Sequence, residues 1–343
     1  MHTEPGPGSV PSEVGVRITG QPPDGVASGL GLAMTGKPHR RPILVTGVPR
    51  SGTTWVGRML DLSPKVGYIN EPFNPTHQPG ICSCAFPHWY QYIHDGNAHE
   101  YEAGLAAMLS FRYELAAQLR QRPGRTSMEA LVRDAWNFAI SRTRGARPLL
   151  KDPIAVFSSD WLARTFGTAV VVMVRHPAAF AASVKRLAWT FPFKDLLAQK
   201  TLMQDHLAAF EPELRRMAGD RQDPVDHASL MWRLVHTVLF GFGHAHPDWL
   251  FVRQEDLARS PSEGFSDLFG RLGLPYPGHI ERTIRWYSTG RLEDDAGAAE
   301  GDIRRHSQDT IRRWRDRLTI EEQARVRSQC ESLAERFYAD DDW

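Results

Sequence analysis

The sequence contains few cysteines, no long apolar run and no excess of charge of either sign. Three cysteines in 343 residues cannot build a disulfide framework, so we predict a reducing, cytoplasmic setting. Lys and Arg total 41 against 40 Asp and Glu, and this balance provides no broad cationic field for binding nucleic acid. The most apolar short run, residues 169–174, falls far below the ~20 residues that cross a bilayer. We therefore predict neither a nucleic-acid partner nor a membrane span.

Two regions of different composition divide the chain. Residues 1–40 hold 8 Gly and 6 Pro among scattered polar side chains. Such a segment buries too little apolar surface to offset the entropy of ordering it, so we predict a disordered leader over residues 1–39. The rest of the chain has a length that suits one large domain, predicted over residues 40–343.

Apolar, strand-like runs alternate with helical patterns through this domain. Strands are predicted at residues 43–46, 66–69, 169–174 and 250–252, with another beginning at Leu149. Helices are predicted between them, over residues 53–62, 99–121, 126–142 and 160–166, from Pro177 onward, near Asp226, after Pro261 and after the capping residue Thr319. This alternation predicts an α/β, P-loop-like three-layer fold in which helices flank a central parallel β-sheet.

The loop after the first strand of the domain carries most of the functional signal. In Gly47-Val-Pro-Arg-Ser-Gly-Thr-Thr54, two glycines and a hydroxyl have the spacing of a phosphate-binding P-loop. The loop also lies between a buried strand and a helix, where backbone N–H groups and the positive end of the helix bind anions. We therefore predict that this loop holds a nucleotide phosphate.

Two residues argue against a nucleoside triphosphatase. Thr53 stands where such an enzyme has a lysine, and the strand over residues 169–174 ends in Arg175 instead of an acidic magnesium ligand. The loop has a cation of its own, Arg50, which suits a transferred anionic group that needs no metal. A P-loop kinase or NTPase and a non-catalytic nucleotide-binding protein remain the alternatives.

Two motifs resemble the sulfotransferase family that uses 3′-phosphoadenosine 5′-phosphosulfate (PAPS). Pro49-Arg-Ser-Gly-Thr-Thr-Trp55 is similar to the family's 5′-phosphosulfate loop, and Val174-Arg-His-Pro177, with Ser183 downstream, is similar to its 3′-phosphate signature. The resemblance covers roughly residues 40–190. Its layout is nearest to the carbohydrate and protein-tyrosine branches. It implies transfer of a sulfuryl group from PAPS to a hydroxyl, with release of adenosine 3′,5′-bisphosphate.

The resemblance also implies which residues hold PAPS. The 5′-phosphosulfate would lie against Arg50, Ser51, Gly52, Thr53, Thr54 and Trp55. The 3′-phosphate would lie against Arg175 and Ser183, because a planar guanidinium suits a dianion. Arg304 and Arg305 belong to a basic segment loosely similar to the one that closes this pocket in the family. Gln254 stands where the family often has tyrosine.

Catalysis is assigned to Glu71, Lys151 and Arg50. Glu71, which precedes a proline after the second strand, matches the glutamate base of the carbohydrate and protein-tyrosine branches. Lys151, in Lys-Asp-Pro, resembles the lysine that stabilises the transferring group, a role that Arg50 would share. His77, His88 and His94 in the neighbouring loop are rival bases.

The acceptor side is predicted in the loop over residues 72–97. Its aromatic side chains suit stacking against a sugar or an aryl ring, although they could equally pack a small core of their own. We expect a small-molecule or glycan acceptor, with a glycan hydroxyl preferred and a phenolic or tyrosyl hydroxyl open. Cys82-Ser-Cys84 lacks the second pair of ligands that a zinc site needs, so no metal is predicted.

Overall fold

A six-stranded sheet forms the centre of the protein. The computed structural model describes residues 18–19 (as backbone), 41–120, 128–219, 223–288 and 311–343. The strands are β1 (Ile18–Thr19), β2 (Ile43–Gly47), β3 (Val66–Asn70), β4 (Arg147–Lys151), β5 (Ala169–Val174) and β6 (Leu250–Arg253). Their order in the sheet is β1-β6-β5-β2-β4-β3.

Five of the six strands run parallel. Ile43 on β2 pairs with Leu149 on β4 and with Ala169 on β5, while β3 and β6 extend the sheet on the two sides. Because the strands are parallel, their carboxyl ends meet at one edge, where the loops that follow β2, β3, β4 and β5 converge. The predicted α/β fold with a central parallel sheet is confirmed.

Helices cover both faces of the sheet. They are α1 (Thr53–Asp61), α2 (Glu102–Leu109), α3 (Leu115–Arg120), α4 (Met128–Thr143), α5 (Ser159–Phe166), α6 (Pro177–Arg186), α7 (Phe193–Ala198), α8 (Lys200–Leu202), α9 (Glu211–Met217), α10 (Pro224–Ala245), α11 (Gln254–Arg259), α12 (Pro261–Arg271), α13 (Gly278–Ser288), α14 (Trp314–Arg317) and α15 (Ile320–Ala334). In the parts of the chain that the structure describes, no helix combines the length and the apolarity needed to span a bilayer.

Alternate residues of the central strands enter two separate apolar cores. Leu44 and Val172 belong to the larger core, which includes α6, α10 and α15, whereas Val45 and Val171 belong to the smaller core, which includes α1, α12 and α13. This is the period-two alternation of a strand whose two faces are both covered. Burial on both faces fixes the register of β2 and β5 and therefore the positions of the loops that follow them.

Two features of the fold differ from the sequence-based predictions. Ile18–Thr19, inside the predicted leader, pairs antiparallel with Val252 and Phe251 of β6; a strand of two residues has too little periodicity to be predicted. The prediction of a continuous helix over residues 99–121 is wrong, because the backbone of Phe111 takes a φ of +50° between α2 and α3. There the N–H of Glu114 donates to the carbonyl of Gly80 at 2.8 Å, so a contact with the preceding loop overrides the helical pattern.

Candidate functional site

The loop between β2 and α1 is built around three residues of positive φ. Gly47 has a φ of +138°, Arg50 of +67° and Gly52, which caps α1, of +95°. A Cβ on Gly47 would lie 2.3 Å from the carbonyl oxygen of Met173 on β5, so only glycine lets β2 and β5 approach here. The loop conformation is therefore set by glycine at both ends and by the adjoining strand.

This loop presents hydrogen-bond donors that α1 does not use. The first bond of the helix runs from the N–H of Val56 to the carbonyl of Gly52 at 3.0 Å, so the N–H groups of residues 53–55 have no acceptor within the helix. The hydroxyl of Ser51 is buried and, among the residues that the structure describes, has no hydrogen-bond partner. Unused N–H groups at a helix N-terminus and an unsatisfied buried hydroxyl fit an anionic phosphosulfate group.

The structure brings the two predicted nucleotide motifs into direct contact. Arg175, immediately after β5, donates from Nη1 to the backbone carbonyl of Arg50 at 2.6 Å. Arg50 in turn donates from Nε to Oγ of Ser183, a buried residue on α6, at 3.3 Å. Arg50 therefore contacts both Arg175 and Ser183, although 125 residues separate Arg50 from Arg175 in the chain.

On the other side of the loop, Glu71 and Lys151 form an ion pair. Lys151 Nζ donates to Oε1 of Glu71, and the N–H of Glu71 donates to the carbonyl of Lys151 at 2.9 Å. The Lys151 side chain is only 3% exposed while that of Glu71 is 29% exposed, so the carboxylate stands between the ammonium and solvent. The carboxylate is therefore the more accessible of the two charged groups.

Asp152 fixes the backbone around this ion pair. Its carboxylate accepts N–H bonds from Phe73 at 2.8 Å and from Ile154 at 2.8 Å, which ties the loop after β3 to the end of β4. Burial raises the pKa of Asp152 to about 7, against the lowering effect of the Phe73 N–H. These bonds support Glu71, whose φ of +45° is unusual for a residue with a side chain.

The histidines proposed as rival bases are largely occupied by other contacts. The ring nitrogens of His77 lie 2.7 Å from the carbonyl oxygen of Asn74 and 2.8 Å from that of Cys82. Nδ1 of His94 accepts from the N–H of Gly96 at 3.1 Å. Of these three histidines, His88 is half-buried and remains the candidate for an alternative base.

The aromatic side chains of residues 72–97 divide into two groups. Phe73, Phe86 and Tyr90 are buried in the larger core, where Phe73 and Phe86 stack at 4.5 Å. Trp89 and Tyr92 are half-buried and pack against that core, and the Tyr92 ring also stacks on the ring of His94 at 5.4 Å. Most of the aromatic surface that suggested an acceptor platform therefore stabilises the loop itself.

Two further residues lie against the loop between β2 and α1, residues 47–52, which is called the donor loop from here on. Trp189, which is 39% exposed, holds its ring centroid 5.9 Å from Cζ of Arg50. It follows Ala188, whose φ of +48° turns the chain at the end of α6. The Gln254 side chain packs on the loop, with Cγ 3.1 Å from where a Cβ of Gly52 would lie. Gln254 could be noticed in the sequence because it follows β6, whereas Trp189 has no sequence pattern that marks it.

The remaining predicted residues are placed as follows. Thr53 is buried, Thr54 is half-buried, and Trp55 packs edge to face on Phe265 at 5.2 Å. Arg304 and Arg305 lie outside the described residues. Across the described ranges, no three His, Cys, Asp or Glu side chains group as metal ligands.

Comparison with known proteins places this site in a family. The sequence model described as "Sulfotransferase family" matches residues 42–278. Human carbohydrate sulfotransferase 1 is 31% identical over 96 residues, which are 26% of this chain and 23% of that protein. The match thus spans about a quarter of the length of that curated relative.

Solved structures of similar shape carry sulfotransferase names. The sulfotransferase domain of the Synechococcus PCC 7002 olefin synthase is 18% identical with a TM-score of 0.46, covering 88% of this chain and 96% of that domain. Mouse sulfotransferase SULT7A1, solved in complex with PAP, is 13% identical with a TM-score of 0.38, covering 88% and 85%. Both TM-scores lie below 0.5, so the assignment to a family rests on the sequence match over residues 42–278.

Proposed function

The chain belongs to the sulfotransferase family, and from this premise we propose that it transfers a sulfuryl group from PAPS to a hydroxyl acceptor. The products are the sulfated acceptor and adenosine 3′,5′-bisphosphate. The observation that carries the proposal is the 2.6 Å hydrogen bond from Arg175 to the carbonyl of Arg50, because it joins the two predicted phosphate sites at one sheet edge. A donor phosphorylated at both the 5′ and the 3′ position could therefore contact both motifs at once.

The roles in this reaction fall on the acceptor base, the groups around the sulfuryl and the residues at the 3′-phosphate. The acceptor oxygen attacks sulfur in line while the bond from sulfur to the 5′-phosphate oxygen breaks, and Glu71 takes the acceptor proton. Arg50, Lys151 and the N–H groups at the start of α1 stabilise negative charge on the sulfuryl and leaving oxygens. Arg175 and Ser183 hold the 3′-phosphate, with Arg50 between them and the reacting group.

We propose a ring-bearing hydroxyl compound as the acceptor, with a glycan preferred over a phenol or a tyrosyl peptide. The support is the exposed Trp189 ring beside Arg50 and the half-buried Trp89 in the loop over residues 72–97, because flat aromatic faces stack on sugar and aryl rings. The 31% identity with a carbohydrate sulfotransferase over 96 residues favours the glycan.

A cytoplasmic location is part of the same proposal. Cys82, Cys84 and Cys330 are all buried free thiols, a state that a reducing compartment maintains.

Nucleotide binding tests the proposal most directly. We expect adenosine 3′,5′-bisphosphate to bind equally well with and without EDTA in isothermal titration calorimetry, and ATP with Mg²⁺ to bind much more weakly. Arg175→Ala should weaken the bisphosphate about 10- to 100-fold, because a charge-assisted bond to phosphate contributes about 1.5–3 kcal/mol. Arg271→Ala, which removes an exposed arginine paired with Asp267 on α12, is the matched control and should leave binding unchanged.

Two results would overturn the proposal. One is unchanged bisphosphate affinity in Arg175→Ala, and the other is nucleotide binding that requires Mg²⁺. Transfer from labelled PAPS to a panel of sugars, phenols and tyrosyl peptides then identifies the acceptor. Binding without transfer to any hydroxyl would favour the non-catalytic alternative.

A further inference from the structure

The peptide group between Arg175 and His176 is held from both sides by buried side chains. Its carbonyl oxygen accepts a hydrogen bond from Nε1 of Trp232 on α10 at 2.9 Å. Its N–H donates to Oε1 of Glu255 on α11 at 2.9 Å. Two helices that lie elsewhere in the sequence therefore fix one peptide plane, at the point where β5 ends and α6 begins.

The carboxylate of Glu255 is itself anchored by a residue beyond α15. Its second oxygen, Oε2, accepts from the hydroxyl of Tyr338 at 2.9 Å. Glu255 and Tyr338 are each only 2% exposed, so each carboxylate oxygen has its donor inside the protein. A buried carboxylate with two satisfied oxygens holds its donors in one geometry, because turning either donor away would leave a polar group unsatisfied.

The ring of His176 reinforces this arrangement without adding charge. It stacks on Trp314 at 5.1 Å and meets Tyr338 and Trp343 edge to face at 4.8 and 4.5 Å. Burial, followed by the charge of nearby arginines such as Arg253, lowers the pKa of His176 to about 3, so the ring is neutral at physiological pH.

We propose that Trp232, Glu255 and Tyr338 are positioning residues for the donor site, which orient Arg175 toward the 3′-phosphate by fixing the peptide that follows its Cα. The inference rests on the proposed function, in which Arg175 binds that phosphate. None of the three side chains needs to touch the nucleotide. Their effect reaches it through the Arg175 backbone and through the guanidinium, which donates to the carbonyl of Arg50.

The sign of the effect separates positioning from simple electrostatics. If Glu255 acted only through its charge, removing that charge would strengthen phosphate binding, since a negative group near the site would be gone. If it acts by fixing the peptide, Glu255→Leu weakens phosphate binding, because the His176 N–H loses its acceptor. Glu255→Gln retains binding, because the amide oxygen can accept from His176 while the Tyr338 hydroxyl accepts from the amide nitrogen.

The test measures the part of affinity that comes from the 3′-phosphate. For each full-length variant, calorimetry gives the ratio of the dissociation constants of adenosine 5′-monophosphate and adenosine 3′,5′-bisphosphate. We expect Glu255→Leu to lower this ratio about tenfold. Tyr338→Phe keeps the charge of Glu255 and removes only one hydroxyl donor, so it should lower the ratio about threefold. The affinity of each variant for the monophosphate should stay within about twofold of wild type. A general loss of structure would weaken the binding of both nucleotides.

Matched variants decide among the outcomes. Tyr276→Phe removes a hydroxyl that donates to the Ser262 carbonyl at 3.3 Å near the smaller core, and it should leave the ratio unchanged. The inference is overturned if Tyr338→Phe keeps the wild-type ratio, or if Glu255→Leu and Glu255→Gln both raise it. Arg175→Ala distinguishes the two proposals. If this variant keeps the wild-type ratio, the donor site itself is refuted. If its ratio falls while that of Tyr338→Phe stays at the wild-type value, only the positioning role is refuted.

Discussion

Replacing Glu71 by glutamine isolates the proton-accepting step of the proposed reaction. The change preserves the size of the side chain but removes its negative charge. We expect kcat to fall about 100-fold or more, the usual effect of losing a general base. Affinity for adenosine 3′,5′-bisphosphate should stay within about twofold, because the contacts of Arg50 and Arg175 lie on the other side of the loop from Glu71.

The same substitution should reduce stability by a smaller, separable amount. Breaking a buried ion pair by removing one partner costs about 3–5 kcal/mol, but the Glu71 carboxylate is 29% exposed and partly screened by water. The glutamine oxygen can also still accept from Lys151 Nζ. We therefore expect a loss of about 1–2 kcal/mol in the free energy of unfolding in urea. Rates should be compared at a temperature at which both proteins are fully folded.

Single-turnover transfer from labelled PAPS is the assay, because it reports the chemical step without product release. Glu100→Gln is the control: this side chain is 60% exposed and pairs with His99 at 4.0 Å, its one ion-pair contact among the described residues, so the rate of this variant should match wild type. Undiminished turnover in Glu71→Gln would refute the assignment. The base would then be sought at His88, because both ring nitrogens of His77 face backbone carbonyls.

Three further predictions concern the loop, the acceptor and pH. Gly47→Ala should lower the free energy of unfolding by about 3 kcal/mol or more in urea denaturation, because the new Cβ would meet the Met173 carbonyl at 2.3 Å. Trp189→Ala should raise the KM of the acceptor about fivefold in steady-state assays, with donor affinity unchanged. Burial lowers the pKa of His236 to about 4 in the folded protein, against about 6.5 in the unfolded chain. Between pH 6.5 and pH 4 the ring is therefore protonated in the unfolded chain and neutral in the folded protein. Stability should therefore fall by about 1.4 kcal/mol per pH unit from 6.5 to 4 on account of this residue, a slope that His236→Phe should lack.

Each of these predictions has a matched comparison. Gly145→Ala also places alanine at a positive φ, of +60°, but meets nothing within 4 Å, so it should cost only about 1 kcal/mol. If both alanine variants lose the same stability, steric contact with β5 is not the cause. Trp286→Ala removes another exposed indole, on α13, and should leave acceptor KM unchanged. An identical pH slope in wild type and His236→Phe would refute the neutral buried ring.

The sequence predicted those parts of the site that depend on local chemistry. A strand that is buried throughout, a glycine-bounded turn and a helix are specified within a few residues, so the loop from Gly47 to Gly52 could be predicted together with its neighbours. Residues at or just after the ends of parallel strands lie at one edge of the sheet, and this is why Glu71 and Lys151 are in contact and Arg175 lies at the same edge.

Features that depend on distant contacts could not be predicted. The pattern over residues 99–121 is helical, yet the helix is interrupted at Phe111, and residues 113–114 pack on Gly80. The aromatic side chains after β3 suggested a platform, but whether a ring is buried or exposed depends on what packs against it, and Phe73 and Phe86 lie in the core. The bonds that Trp232 and Glu255 make to the Arg175–His176 peptide likewise join residues more than 50 positions apart, with no spacing in the sequence to mark them.

The order of the strands restricts how the acceptor can approach. The donor loop follows β2, which lies between β5, the strand before Arg175, and β4, the strand that carries Lys151. With the nucleotide held on the β5 side, in-line transfer requires the attacking oxygen to come from the opposite side of the sulfur. Glu71 directly follows β3, beyond β4, and its side chain is 29% exposed, so we expect the acceptor hydroxyl to approach on that side. An acceptor ring would then lie across the loop, with its hydroxyl toward Glu71 and its face toward Trp189. Base and aromatic platform would thus act on one molecule from two sides, so Glu71→Gln should lower kcat while Trp189→Ala should raise the acceptor KM.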